Sequence, residues 1–147
     1  MPNKKRVEGL HRYIEWYYQQ KKYPAEAYPD TDNFVTVSAE ISDDFLGCAL
    51  DQKGAHHQHF YVDIKRVMDG DAELVEGKPV FVSVRYGDEE GLPEPIPGLL
   101  PGRPVIIRGK YIPSDEAYET DDNPGLPVLH FTHRPIGYVI FCGIKYD

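Results

Sequence analysis

Four stretches of this chain alternate apolar and polar residues with a period of two, and they limit its fold more than any other feature. They are FVTVSAEI (34–41), HHQHFYVDIKRV (56–67), PVFVSVRY (79–86) and RPVIIRGKYI (103–112). Successive side chains on a strand point to opposite faces, so each stretch reads as a strand with one buried face. A fifth strand is expected within LPVLHFTHRPIGYVIFCGIKY (126–146), interrupted around Pro135 and Gly137. The segments between them are connections: SDDFLGCALDQKG, DGDAELVEGK, the Pro- and Gly-rich GDEEGLPEPIPGLLPG, and the acidic PSDEAYETDDNPG. Asp-Gly-Asp at 69–71 is good turn chemistry. KRVMDGDAELVEG also resembles a stretch of micrococcal nucleases, but Ala72 stands at the threonine position and no arginine-rich continuation follows.

Five strands and long loops within residues 34–147 predict an all-β fold, a small five-stranded barrel of the oligonucleotide/oligosaccharide-binding (OB) type. Closure removes exposed strand edges, and Gly109 is placed where a strand bends around the barrel. An open β-sandwich is the competing architecture. Ahead of the barrel, Val7, Leu10, Ile14 and Tyr17 or Tyr18 recur at spacings of three and four, predicting an amphipathic helix over 4–22. Pro24 and Pro29 end it. The expected organisation is a helix and linker over 1–33 and a barrel domain over 34–147.

A chain of 147 residues suits one domain. It has no apolar run long enough for a membrane span and no signal-peptide pattern at its start, so a cytoplasmic protein without membrane contact is expected. Cys48 and Cys142 lack metal-motif spacing and are expected as buried thiols. The net charge is −8, yet residues 1–22 hold six Lys or Arg against two Glu, which leaves −12 on the remainder. That balance argues against broad non-specific binding of duplex DNA. The basic segment either docks on its own acidic domain or meets an anionic partner.

Parity assigns the strand faces. Gln58, Phe60, Val62 and Ile64 point inward on the second strand, and Val80, Val82 and Val84 on the third. His57, His59, Tyr61, Phe81, Ser83 and Arg85 then share the outer surface. OB barrels bind ligands on the face of their second and third strands. Interleaved aromatic and basic groups there suit base stacking with phosphate contact, to which Arg108 and Lys110 add charge. The competing reading is that cross-strand aromatic pairs merely stabilise the sheet. On the fifth strand, alternation puts His130 and Thr132 on one face and His133 on the other, so a joint His130–His133 metal clamp requires a bulge. His133 shares inward parity with Gln58, so the two are expected at the barrel mouth, hydrogen-bonded to each other or to a bound ligand. His57 and His59 point the same way, but two ligands do not make a metal site. Neither a metal nor another cofactor is expected.

Several separated motifs carry a resemblance: HHQHF (56–60), GRPVIIRGKY (102–111), HFTHRP (130–135) and GYVIFCGIKY (137–146). In order and character they resemble an uncharacterised family of small bacterial OB-like proteins, a domain of unknown function with HQxF and HWTHxDP-type motifs. The resemblance maps onto His57, Gln58 and Phe60, then Gly102, Gly109 and Tyr111, then His130, Thr132, His133 and Pro135, and finally Gly137, Gly143 and Tyr146. Phe131 stands where that family has tryptophan, and Arg134 precedes the proline in place of aspartate. The resemblance implies an OB-like fold and no particular activity.

Three functions are compatible with these residues. The first is a binding protein for single-stranded nucleic acid or a nucleotide, using His57, His59, Tyr61, Phe81, Arg85, Arg108 and Lys110. The second is a histidine-dependent hydrolase, metal-assisted or not. The third is an interaction module whose N-terminal helix, with Trp16, Tyr17 and Tyr18, recruits a protein partner or makes a homodimer.

Overall fold

All the alternating stretches form strands in the computed structural model, which describes residues 32–42, 47–50, 56–88, 91–117 and 123–147, together with Arg12, Trp16, Gln19 and Gln20. The strands are β1 (Phe34–Ile41), β2 (Gly47–Leu50), β3 (His56–Asp69), β4 (Val80–Tyr86), β5 (Pro104–Ile112), β6 (Val128–His130), β7 (Tyr138–Phe141) and β8 (Ile144–Tyr146). Of the expected N-terminal helix only Arg12, Trp16, Gln19 and Gln20 are described, with helical backbone; the rest of that prediction lies outside the described residues. Among the described residues no helix is long and apolar enough to cross a membrane.

Five strands close into a barrel in the order β1-β3-β4-β6-β5. Closure comes from antiparallel pairing of β1 with β5, from Phe34 opposite Lys110 to Glu40 opposite Pro104. β4 and β6 are parallel, with Phe81 opposite Val128 and Val82 opposite Leu129. The remaining strand pairs are antiparallel. β2 pairs with the start of β3, just beyond the end of β1, and the β7–β8 hairpin extends the sheet from β5. β2 falls in the segment that the sequence reads as a connection; GCAL is too short and too small-sided to show a period of two.

The interior matches the parity assignment closely. Phe60, Val62, Val80, Val82 and Val84 are fully buried, joined by Val35, Val37, Ile107, Tyr111, Leu129 and Val139. Burying each such aliphatic side chain contributes about 1.5–3 kcal/mol. Ile64 keeps the inward parity and packs against the core, though only half-buried; beyond it β3 is not a uniform strand. Its pairing with β1 slips between Thr36 and Val37 and between Ser38 and Ala39, so Lys65 and Met68 are extra residues on β3. Bulges of this kind bend a long strand and increase its twist, as wrapping around a barrel requires.

The Pro-rich loop after β4 is more than a connection. Its Leu92, Ile96 and Leu99 are buried in the core. Gln58, inward-facing as parity predicts, holds this plug: its Nε2 donates to the Ile96 carbonyl at 2.9 Å and its Oε1 accepts from the Ile96 amide at 3.0 Å. Of the two expected roles, a direct Gln58–His133 bond is ruled out, and neither polar end of Gln58 is left for a ligand: both are used by Ile96. Gln58→Leu strips two buried backbone groups of their partners and should cost about 2–4 kcal/mol, read from the urea unfolding midpoint.

The turn between β3 and β4 is tied down as well. Asp71 accepts the Glu73 amide, and Leu74 and Val75 pack against the core. The Tyr111 hydroxyl accepts from the Glu76 amide at 2.9 Å, while Ser114 donates its amide and hydroxyl to the Glu76 carboxylate. Those bonds from Ser114, with a smaller contribution from Lys78, hold the Glu76 carboxyl below its ordinary pKa. Cys142, expected to be buried, is an exposed thiol in the β7–β8 turn, where its backbone is left-handed.

Candidate functional site

The segment after β6 departs from strand geometry at one residue. Phe131 has a φ of 52°, in the left-handed region that a bulky residue rarely occupies. Beyond it, alternation no longer predicts direction. Thr132, expected on the surface beside His130, is fully buried, and its Oγ1 donates to the Ser83 carbonyl on β4 at 2.9 Å. The chain then turns back through a cis Arg134–Pro135 bond, and the Gly137 amide donates to the His133 carbonyl at 2.8 Å.

Two glycines permit this turn to sit so close to the barrel. A Cβ on Gly109 would lie 2.7 Å from the His130 carbonyl oxygen and 2.8 Å from the Thr132 methyl. A Cβ on Gly137 would meet three backbone atoms: the Phe131 carbonyl oxygen, the Arg108 carbonyl oxygen at 2.8 Å and the His133 nitrogen at 2.8 Å. Gly109 thus serves close approach of another segment, a more specific task than the bend expected from sequence.

The turn returns His133 to the same side as His130. With His57, Ser83 and Arg85 from the outer face of β3 and β4, and with Phe131, they line a pocket of about 140 Å³. The sequence expectation that His130 and His133 face apart is overturned by the left-handed residue between them. The Phe131 ring lies 4.4 Å from that of His130 and 6.2 Å from that of His133, centroid to centroid.

The two histidines are held neutral near pH 7. Burial lowers the His130 pKa to about 4, and the nearby charges of Lys110, His133 and His57 add to the effect. His130 Nε2 is buried and makes no hydrogen bond within the protein. Burial also lowers the His133 pKa; its contact with the Arg134 carbonyl and the Asp88 charge oppose that shift, while Arg85 and His57 reinforce it. His133 Nδ1 lies 2.7 Å from the Arg134 carbonyl oxygen, so in the neutral ring Nδ1–H donates there and Nε2 carries the lone pair.

Arg85 is braced by Asp88. Its Nε and Nη2 lie 2.8 and 2.7 Å from Asp88 Oδ2, while Asp88 Oδ1 accepts the Gly91 amide at 3.0 Å. Lys110 pairs with His130 across β5 and β6, which places its charge beside the pocket.

Other predicted contacts are placed differently. His59 and Tyr61 lie on the outer face of β3, flanking Phe81 with ring centroids 4.7 and 5.9 Å away. Phe81 faces that side as parity predicts but is only 6% exposed, so it offers no open stacking surface. Arg108 is not at the pocket: its Nη1 is 3.0 Å from Thr36 Oγ1 and 3.3 Å from Asp69 Oδ2. The predicted contact set lacks Ser83, Phe131 and Asp88, and His130 and His133 stand outside it as motif residues only. Parity alone identifies Ser83; the left-handed turn that brings in Phe131, and the Asp88 brace, have no period to read.

Among the described residues no three His, Cys, Asp or Glu side chains are arranged to hold a metal ion. His57, His130 and His133 share a pocket without forming a metal clamp. Comparison with protein-family models, with curated proteins and with solved structures gave no match.

Proposed function

We propose that this chain is an OB-like barrel that binds single-stranded nucleic acid or a nucleotide on the outer face of β3 and β4. The observation that carries this reading is the pocket: three imidazoles, a serine and a braced guanidinium converge on one face, and one imidazole nitrogen, His130 Nε2, is buried without a partner. A buried polar atom without a partner is costly unless something fills its need, and ligand sites are where such atoms concentrate. The strand order supports the OB-like assignment. It joins a parallel β4–β6 pair to an otherwise antiparallel five-stranded closure, and in such barrels the face of the second and third strands takes ligands. Here those strands are β3 and β4. Residues 34–147 form the binding unit in this reading, and the HQxF- and HWTHxDP-like motifs are its pocket-forming segments. Arg85 and Lys110 supply positive charge for phosphate, and His57, His59 and Tyr61 supply ring surface.

Fluorescence anisotropy with labelled single-stranded oligonucleotides tests this reading. Binding is expected at low salt. It should weaken about sevenfold between 50 and 200 mM salt if two phosphates are neutralised. Undetectable binding, or binding indifferent to joint loss of Tyr61 and Arg85, contradicts it.

One observation favours a second reading. His133 is neutral with Nδ1 fixed on a carbonyl, which leaves Nε2 as a base in a pocket with Arg85. A histidine-dependent hydrolase acting without metal would then cleave single-stranded RNA in the presence of a chelator, and His133→Ala would abolish the cleavage. Intact RNA after prolonged incubation rules it out.

A further inference from the structure

The size and lining of the pocket narrow the ligand further. A dry cavity of about 150 Å³ takes one benzene-sized ring, and this pocket is about 140 Å³. A single six-membered ring fills that volume, whereas a fused two-ring base would leave one ring projecting through the open side of the pocket. The lining is not that of a greasy cavity. Phe131 supplies one aromatic wall beside His130, while His130, His133 and Ser83 supply polar groups. The ring that suits such a lining is flat, six-membered and polar along one edge.

We infer that the pocket is a base pocket that takes one pyrimidine ring from a single strand in preference to a purine. This rests on the nucleic-acid reading above and goes beyond it, since a stacking face alone is indifferent to base identity. The hydrogen-bonding inventory agrees. With Nδ1–H given to the Arg134 carbonyl, His133 Nε2 accepts the N3–H of uracil or thymine, or the N4–H of cytosine. His130 Nε2, which has no partner inside the protein, gains one from the base edge. Ser83 Oγ donates or accepts and so tolerates either pyrimidine. Both imidazoles are neutral near pH 7, as acceptance at nitrogen requires.

The test is competition among labelled oligo(dT), oligo(dC) and oligo(dA) of equal length at 50 mM salt, with the full chain. The two pyrimidine strands are expected to bind at least about tenfold more tightly than oligo(dA). His130→Ala enlarges the pocket and is expected to bring oligo(dA) within about threefold of the pyrimidines; a thermal melt of this variant verifies that it is folded. Equal affinity of the native chain for all three strands overturns the base pocket while leaving the nucleic-acid reading standing. A purine preference also overturns the base pocket. No binding of any strand overturns both. A pyrimidine preference that folded His130→Ala retains in full also overturns the inference, because discrimination then arises elsewhere.

Discussion

Gly137→Ala is expected to destabilise the protein by about 4 kcal/mol or more, a large part of the 5–15 kcal/mol that holds a typical domain folded. The new methyl would meet the Phe131 carbonyl oxygen, the Arg108 carbonyl oxygen and the His133 nitrogen. All three are backbone atoms, so no side chain can swing aside. The turn would have to lift from β5, taking with it His133 and the Thr132 bond to Ser83. Urea unfolding monitored by far-UV circular dichroism measures the loss, and oligonucleotide binding should fall with it. A cost under about 1 kcal/mol would mean that the turn is not seated against the barrel as described. Gly143→Ala is the control: a Cβ there meets nothing, and its cost comes only from the left-handed backbone of the β7–β8 turn, about 1 kcal/mol.

Acid is expected to weaken the fold through His130. In the folded chain its pKa is about 4, against 6.5 for an unperturbed histidine. Below pH 6.5 the unfolded chain takes up a proton that the folded chain refuses, so stability is full above that pH and is lost as pH falls toward 4. The loss over that window is about 2–3 kcal/mol. The surroundings set the sign. Lys110 across the strand pair and His133 and His57 in the pocket all disfavour a charged His130. His133 acts in the same direction, with Arg85 reinforcing and Asp88 opposing the shift. Glu76 also loses stability toward acid, since its folded pKa is lowered. The variant His130→Gln separates the contributions. Its unfolding free energy should fall less steeply between pH 6.5 and 4 than that of the native chain, with the difference near 2–3 kcal/mol at pH 4. Parallel slopes would mean that His130 titrates normally.

The barrel was legible because its signal is local and repeated. Each run of β1, β3, β4 and β5 carries its own alternation, and Phe60, Val62, Val80, Val82 and Val84 are where parity puts them. Parity failed where the backbone leaves strand geometry. Extra residues at Lys65 and Met68 break the alternation of β3 beyond Ile64, and Phe131, left-handed, ends β6 after three residues and reverses the expected sides of Thr132 and His133. Alternation gives the outward direction of His57, His59, Tyr61 and Ser83. It does not reveal that Phe81 is covered, because alternation reports direction and not cover. Arg108 and Gln58 show the other limit: their partners, Asp69, Thr36 and Ile96, lie between 38 and 72 residues away in sequence and become visible only once the chain is folded.

The pocket exists because three distant segments meet: HHQHF on β3, the Ser83–Arg85 stretch on β4, and the left-handed turn that swings His133 back beside His130. That convergence is the centre of the functional account. The most direct measurement of it is the imidazole ¹⁵N spectrum of the full chain, recorded while a short single-stranded pyrimidine oligonucleotide is added. The account predicts that the Nε2 resonances of His130 and His133 shift together and saturate with the midpoint of the binding curve. A strand that binds while both resonances stay in place, or one that does not bind at all, would contradict it.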